Sequence, residues 1–168
     1  MKGAPGYADA PPSNHQGSLS VNHWDTRFLE LARLVSTWSK DVSTQVGATI
    51  ADGKIIVSVG FNGFAQGVVD RPEWLADRET KLALTIHSEA NALLHAERSV
   101  AGCTIYTWPL PPCAHCAALI VQRRLGRVVT VAPSAEHQAR WGTSFQLART
   151  QFSDAGIAYL EIEDATGG

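Results

Sequence analysis

A three-layer α/β/α domain, with helices on both faces of a mixed five-stranded sheet and a parallel pair of strands at its end, is the fold class this chain predicts. Two observations carry the expectation. Helical and strand-like periodicities alternate along the sequence in the order αββαβαβαβ. The last two strand segments are separated by more than twenty residues containing a helix, which suits a parallel crossover; an antiparallel pair would need only a tight turn.

Each element has its own signal. From Asn22, Trp24, Phe28, Leu31, Val35 and Trp38 recur at steps of four, three, four and three, with Asn22 as cap and Asp25 three residues on, so an amphipathic helix is expected. Two β-rich runs, near 46–51 and 55–60, meet at Asp52-Gly53, a strong hairpin signal. Gly60, Gly63, Gly67 and Pro72 mark a loop, after which residues 73–84 read as partly helical. A helix over 87–98, a strand over 103–107 and a helix opening after Pro111-Pro112 follow. "RVVTVA" (127–132) predicts a strand, residues 137–156 a helix closed by Gly156, and "IAYLEI" (157–162) the last strand.

Composition bounds what these elements can do. The 168 residues are 45% hydrophobic and 18% charged, enough for one compact core. No run of eighteen apolar residues suggests a membrane span, and the first residues lack the apolar stretch of a secretory leader. Residues 1–21 are therefore expected to form a disordered tail, residues 22–168 the folded domain, and the protein to be soluble and cytoplasmic. Fourteen basic residues against sixteen acidic ones give a formal charge of −2, without the basic excess of a sequence-independent nucleic-acid binder. A small molecule is the expected partner, with no membrane contact.

The chemistry concentrates in two short stretches. Three cysteines make a disulfide framework improbable, and two of them stand in "PPCAHC", leaving metal or redox chemistry for the pair. Cys113 and Cys116 begin one predicted helix, and His87 and Glu89, in "TIHSEANALL", begin another. Side chains of a first turn can project past the helix end, so both ends can face one ion, and the positive helix termini favour the thiolate that a metal requires. One imidazole and two thiolates are three ligands for tetrahedral Zn²⁺, with the fourth position open to water, as in catalytic rather than structural zinc. Glu89 is then the proton carrier. A dithiol redox pair and a structural zinc remain alternative readings of C-x-x-C alone. Cys103 reads as a small buried thiol and His115 as an exposed residue, while His15, His23, His95 and His137 have no ligand spacing.

"HSEANALL" and "PPCAHCAALI", with "DVSTQVGATIADG" and "GFNGFAQGV" upstream, resemble the deoxycytidylate (dCMP) deaminase family of the cytidine deaminase-like superfamily, from about Trp24 to the last strand. The resemblance implies a cytidine deaminase-like fold ending in parallel strands. It also implies one catalytic zinc held by His87, Cys113 and Cys116, Glu89 as acid/base, and a likeness to enzymes that form homo-oligomers. By position it places Asn62 near the sugar, the backbone around Ala48 against the base, and the Pro111 carbonyl facing the leaving ammonia. For Asn62, an Asn-Gly turn is the competing reading.

Three departures qualify the likeness. Ala65-Gln66 stands where the family often has proline and a basic residue, which puts phosphate recognition in doubt. No Cys or His lies between Gly63 and Ile86 to hold the second zinc of some members. "YTWPLPPC" is longer than the usual pattern, so Trp108 is a candidate pocket wall, with core packing as the equal alternative. The expected function is hydrolytic deamination of a cytosine nucleotide or nucleoside, foremost dCMP to dUMP. Two alternatives stand: a deaminase of tRNA or single-stranded nucleic acid, for which Arg123, Arg124 and Arg127 are the only tight basic cluster, and a non-catalytic zinc module, which would not need Glu89.

Overall fold

The computed structural model describes residues 20–163. The tail expected over residues 1–21 therefore lies, but for Ser20 and Val21, outside the described residues. The elements are α1 (His23–Ser36), β1 (Gly47–Asp52), β2 (Ile55–Phe61), α2 (Pro72–Ala76), α3 (Arg78–Leu84), α4 (Ser88–His95), β3 (Thr104–Trp108), α5 (Ala114–Gln122), β4 (Arg127–Val131), α6 (Ala135–Asp154) and β5 (Ala158–Ile162). The strands form one sheet in the order β2-β1-β3-β4-β5. β1 is antiparallel to both neighbours, and β3, β4 and β5 run parallel, as the long helical crossovers require.

Alternation along the strands sorts the core into two layers. Ala48, Ile50, Ile105 and Val128 pack with Ala92, Leu93, Ala117, Ile120, Ala148 and Phe152, so α4, α5 and α6 cover one face. Ala51, Tyr106, Val129 and Val131 pack with Phe28 and Leu29 of α1 on the other. The fold is the expected three-layer α/β/α arrangement.

Helix α1 starts with the expected capping box: Asn22 Oδ1 accepts the Trp24 and Asp25 N–H groups, and Asp25 Oδ2 accepts the Asn22 N–H at 2.8 Å. Asp25 does more than cap. Fully buried, it also takes Arg127 Nη1 at 2.6 Å and the Tyr106 hydroxyl at 3.0 Å, tying the start of α1 to β3 and β4. One arginine of the basic cluster at 123–127 is thus drawn into the interior rather than onto a nucleic-acid-facing surface. Trp38, expected on the core face, is instead 51% exposed against Phe61, because α1 ends at Ser36 and the periodicity has no helix to act through beyond it.

Other boundaries differ for local reasons. Residues 73–84 form two short helices broken at Asp77, whose carboxylate caps α3 by accepting the Thr80 N–H at 2.8 Å. α4 stops at His95 rather than 98, and the chain turns so that Val100 enters the core. α6 begins two residues early because Ser134 Oγ accepts the His137 N–H.

Two glycines let helices sit directly on the sheet. A Cβ at Gly47 would lie 2.0 Å from Ala32 O of α1, and one at Gly60 would lie 2.3 Å from both Ala92 N and Ser88 O of α4. Backbone cannot yield cheaply, so Gly60→Ala is expected to destabilise the protein by about 1–3 kcal/mol. It should also loosen the N-terminal end of α4, where His87 and Glu89 stand. Melting temperature and metal content measured together test this, and an unchanged protein on both counts would refute it.

Candidate active site

α4 and α5 bring their first turns together. His87 is the residue before α4 and Cys113 the residue before α5, both in extended conformation; His87 makes no capping bond to its helix, while Cys113 Sγ accepts the Cys116 N–H at 3.5 Å. Cys113 Sγ and Cys116 Sγ each lie 3.5 Å from His87 Nδ1, and all three donor atoms fall within 4.8 Å of one another. Among the described residues this is the group of three such side chains close enough to hold an ion.

The spacing fits zinc. Zn–S bonds of about 2.3 Å and Zn–N bonds of about 2.0–2.1 Å at tetrahedral angles put sulfur and nitrogen about 3.5 Å apart. His87 and Cys113 border a cavity of about 540 Å³ together with Glu89, while Cys116 is buried behind them. The donor set is thus closed on the protein side and open on the cavity side. Glu89 lies outside the three-donor group.

The hydrogen bond from Cys116, with a second from His87, holds the Cys113 thiol down to about 3. Its partnership with Cys113 pushes His87 up to about 9, and Cys116, which donates to that sulfur and is buried, is raised. Glu89 is only 4% exposed, and burial raises its carboxyl above the usual range, against the opposing pull of His87. Ser88 Oγ donates to Glu89 Oε2 at 3.0 Å and orients it.

Upstream segments set this geometry. Gly63 and Ile86 exchange backbone hydrogen bonds of 3.1 and 2.8 Å, which fixes the approach to His87. Asn62 Oδ1 accepts the Val46 N–H at 2.8 Å and its Nδ2 donates to Thr44 O at 2.9 Å, pinning the loop before β1. From the α6 side, Ser144 Oγ accepts the Ala114 N–H and Gln151 Nε2 donates to Ala114 O, clamping the first turn of α5.

The expected site residues separate accordingly. His87, Glu89, Cys113, Asn62 and Pro111 all border the cavity. Ala48 and Trp108 are not on its border. Ala48 is fully buried beneath α4, and Trp108 falls on the alternate side of β3, its ring packed on the α1 face. Trp108 thus takes the core-packing alternative.

Cavity residues that the motifs did not reveal come from three places: Asp41, Ser43 and Thr44 before β1; Arg78 and Lys81 of α3; and Arg140, Trp141 and Phe145 of α6. The spacing of "RWGTSF" puts Trp141, Ser144 and Phe145 on one helix face, a signal that identifies them only once that face is known to meet α5.

Lys81 and Asp41 form a buried ion pair at 2.9 Å, with side chains 7% and 10% exposed, and Lys81 Nζ also reaches Ser43 Oγ. It links α3 to the loop before β1 in the stretch where no Cys or His stands. Burial alone would raise the Asp41 carboxyl; hydrogen bonds from Lys81 and from the Ser43 and Thr44 N–H groups outweigh it and hold the group below its usual range. Lys81→Met should therefore cost about 3 kcal/mol, since an unpaired buried charge remains. In the wild type the pair's contribution is present above the unfolded carboxylate pKa of about 3.9 and is lost as pH falls through the lowered folded value. Denaturation at neutral pH and at pH 3 checks both statements; a neutral-pH stability equal to wild type would contradict the first.

A three-donor metal site open to a cavity beside a buried carboxyl is that of a metal-dependent hydrolase. The cytidine and deoxycytidylate deaminase zinc-binding region matches residues 22–132, and the chain belongs to that family. An uncharacterized deaminase in the luxG 3′ region of Aliivibrio fischeri is 42% identical over 137 residues, covering 82% of this chain and 92% of that one. Human deoxycytidylate deaminase is 33% identical over 146 residues, covering 83% and 79%. The dCMP deaminase of cyanophage S-TIM5, solved with dCMP and dUMP, shares the fold with a TM-score of 0.66 at 17% identity, covering 85% of this chain and 99% of that one. The protein is accordingly an enzyme of the cytidine deaminase-like hydrolase class. No helix among the described residues is long and apolar enough to cross a membrane.

Proposed function

We propose that this enzyme hydrolyses the exocyclic amine of a cytosine nucleotide, with dCMP going to dUMP and ammonia, and carries one catalytic zinc per chain. The observation that carries the reading is the buried Glu89 beside a His87–Cys113–Cys116 group that opens on a nucleotide-sized cavity. The names of the human and cyanophage relatives support cytosine nucleotides over other amines. We take the enzyme to act in the cytoplasm on free nucleotide. We take it to form a homo-oligomer, as its likeness to the family implies, which sedimentation tests.

When bound, zinc supplies the Lewis acidity that makes a water nucleophilic near neutral pH. The protein's part is proton traffic and positioning. Glu89, held above its usual range by burial, accepts one proton of the attacking water and passes it to N3, then takes the second proton from the same oxygen, now bonded to C4, and passes it to the amino group, so that the C4–N bond breaks, ammonia leaves and the C4 carbonyl forms. Ser88 keeps the carboxyl oriented. The Pro111 carbonyl faces the departing ammonia, and Asn62 borders the sugar while its amide holds the 44–46 loop.

An ammonia-release screen over cytosine, cytidine, deoxycytidine, CMP, dCMP and 5-substituted forms tests the reading. dCMP or a close deoxycytidine derivative is expected to be fastest. Turnover of adenosine in RNA with none of any free pyrimidine would overturn it.

A further inference from the structure

Resting on the zinc reading above, we propose that Ser144 and Gln151 of α6 are positioning residues that lock the Cys113–Cys116 turn in its metal-binding shape, so that a helix carrying no ligand sets how tightly the enzyme holds zinc. The need for such a hold begins in the sequence. Helix α5 opens on Cys113, whose sulfur the metal group requires, and cysteine is a poor helix cap: its Sγ, a weak acceptor, takes the Cys116 N–H at 3.5 Å. Pro111 and Pro112, just before it, have no N–H with which to anchor the approach. The turn that carries two of the three donors is thus held weakly by its own helix.

α6 supplies the missing hold. Ser144, Ala148 and Gln151 recur at steps of four and three, which puts them on one face of α6, and Ala148 is buried in the core that α5 shares. The Ala114 N–H, in the first turn of α5, has no partner within its own helix. Ser144 Oγ accepts it at 3.0 Å, and Gln151 Nε2 donates to Ala114 O at 2.9 Å. One bond fixes the peptide plane between Cys113 and Ala114, the other the plane between Ala114 and His115. With the first plane fixed, the Cys113 ψ of 170° is fixed too, and with it the line along which that side chain leaves the backbone toward His87. With the second fixed, the chain enters the turn that brings Cys116 Sγ to 3.5 Å from the same His87 Nδ1. Partners that orient metal ligands without touching the ion commonly change affinity by about ten- to a hundredfold when removed.

Ser144→Ala, Gln151→Met and the double variant would be compared with wild type for the zinc dissociation constant, by competition with a chromophoric chelator, and for the rate of zinc release into excess chelator. No substrate is present, so the place of Ser144 on the cavity border does not enter. Each single variant should bind zinc about tenfold more weakly and the double variant up to about a hundredfold, with faster release. Ser144→Thr, which keeps the hydroxyl, should stay near wild type. In cobalt-substituted protein the visible absorption of the tetrahedral thiolate site should change in the clamp variants and not in Ser144→Thr. Ala148→Gly, on the same face between the two, is the control: it lowers the melting temperature through helix propensity, removes neither bond and should keep wild-type affinity.

The outcomes separate the two readings. Wild-type zinc affinity in the double variant, or an equal loss in Ala148→Gly, overturns the clamp and leaves the zinc site standing. A wild type that binds no zinc removes the zinc reading, and the clamp with it. Weakened zinc binding in the clamp variants, with no ammonia released from any cytosine compound by wild type, upholds the clamp and removes the proposed reaction. Should the double variant fail to fold, the single variants decide by the same comparison: wild-type affinity in both overturns the clamp, and a loss in both that Ser144→Thr does not share upholds it.

Discussion

Glu89→Gln should leave the protein folded and zinc-loaded while lowering turnover by a factor of roughly 10² to 10⁴ or more. The amide keeps the shape of the carboxyl, and Glu89 lies outside the three-donor group, so neither core nor ligand set is disturbed. It cannot accept the water's proton. The loss should reach or exceed the upper part of that range, because one group serves both the attacking water and the departing amine. The effect should lie in kcat, since the step lost is chemical rather than binding. Zinc content, melting temperature and ammonia release measured on the same preparation decide the matter. Turnover near wild type in zinc-loaded Glu89→Gln would show that the proton carrier is another group.

Cys113→Ala should lose metal and stability together. Two of three donors remain, and they cannot define a tetrahedral site. An ion present at a hundred times its Kd stabilises the folded state by about 2.7 kcal/mol, and that linkage disappears with the ion. Cys113 is also the cap of α5, its Sγ accepting the Cys116 N–H at 3.5 Å, so about 1 kcal/mol more is at stake. For a domain of this size the sum corresponds to a fall in Tm of roughly ten degrees. Cys103→Ala is the control. That thiol is buried in the core away from the ligand group, so its loss should cost some stability but no zinc. Equal zinc content in the two alanine variants would count against Cys113 as a ligand.

The parts of this protein legible in its sequence are those that short-range chemistry specifies. The Asn22–Asp25 capping box, the Asp52-Gly53 hairpin and the helix starts at His87 and Cys113 each involve residues within a few positions of one another. Their signals therefore survive without the rest of the chain. The parallel end of the sheet was legible for a different reason, because a crossover of more than twenty residues with a helix excludes the antiparallel alternative. The metal group lies between these cases. Its members are far apart in sequence, yet each stands at a helix start, and the strand between them predicts that the two starts meet at one end of the sheet.

What only the tertiary structure decided concerns contacts whose partners share no sequence neighbourhood. Trp108 looked equally like a pocket wall or a core residue, and the alternation of β3 chose the α1 face. Asn62 borders the cavity, but its amide is spent on Val46 and Thr44, sixteen and eighteen residues away. Arg127 read as part of a surface cluster until the fold set it against Asp25, 102 residues earlier. Lys81 and Asp41 became a buried strut in the same way, and residues of α3 and α6 came to border one cavity only through the fold. The sequence by itself determined the layers, the hairpin, the parallel pair that ends the sheet and the four candidate residues of the site, because local propensity and helix-end geometry are encoded where they act. The pocket around those residues depended on long-range packing, in which a side chain's role is set by whatever the folded sheet places opposite it.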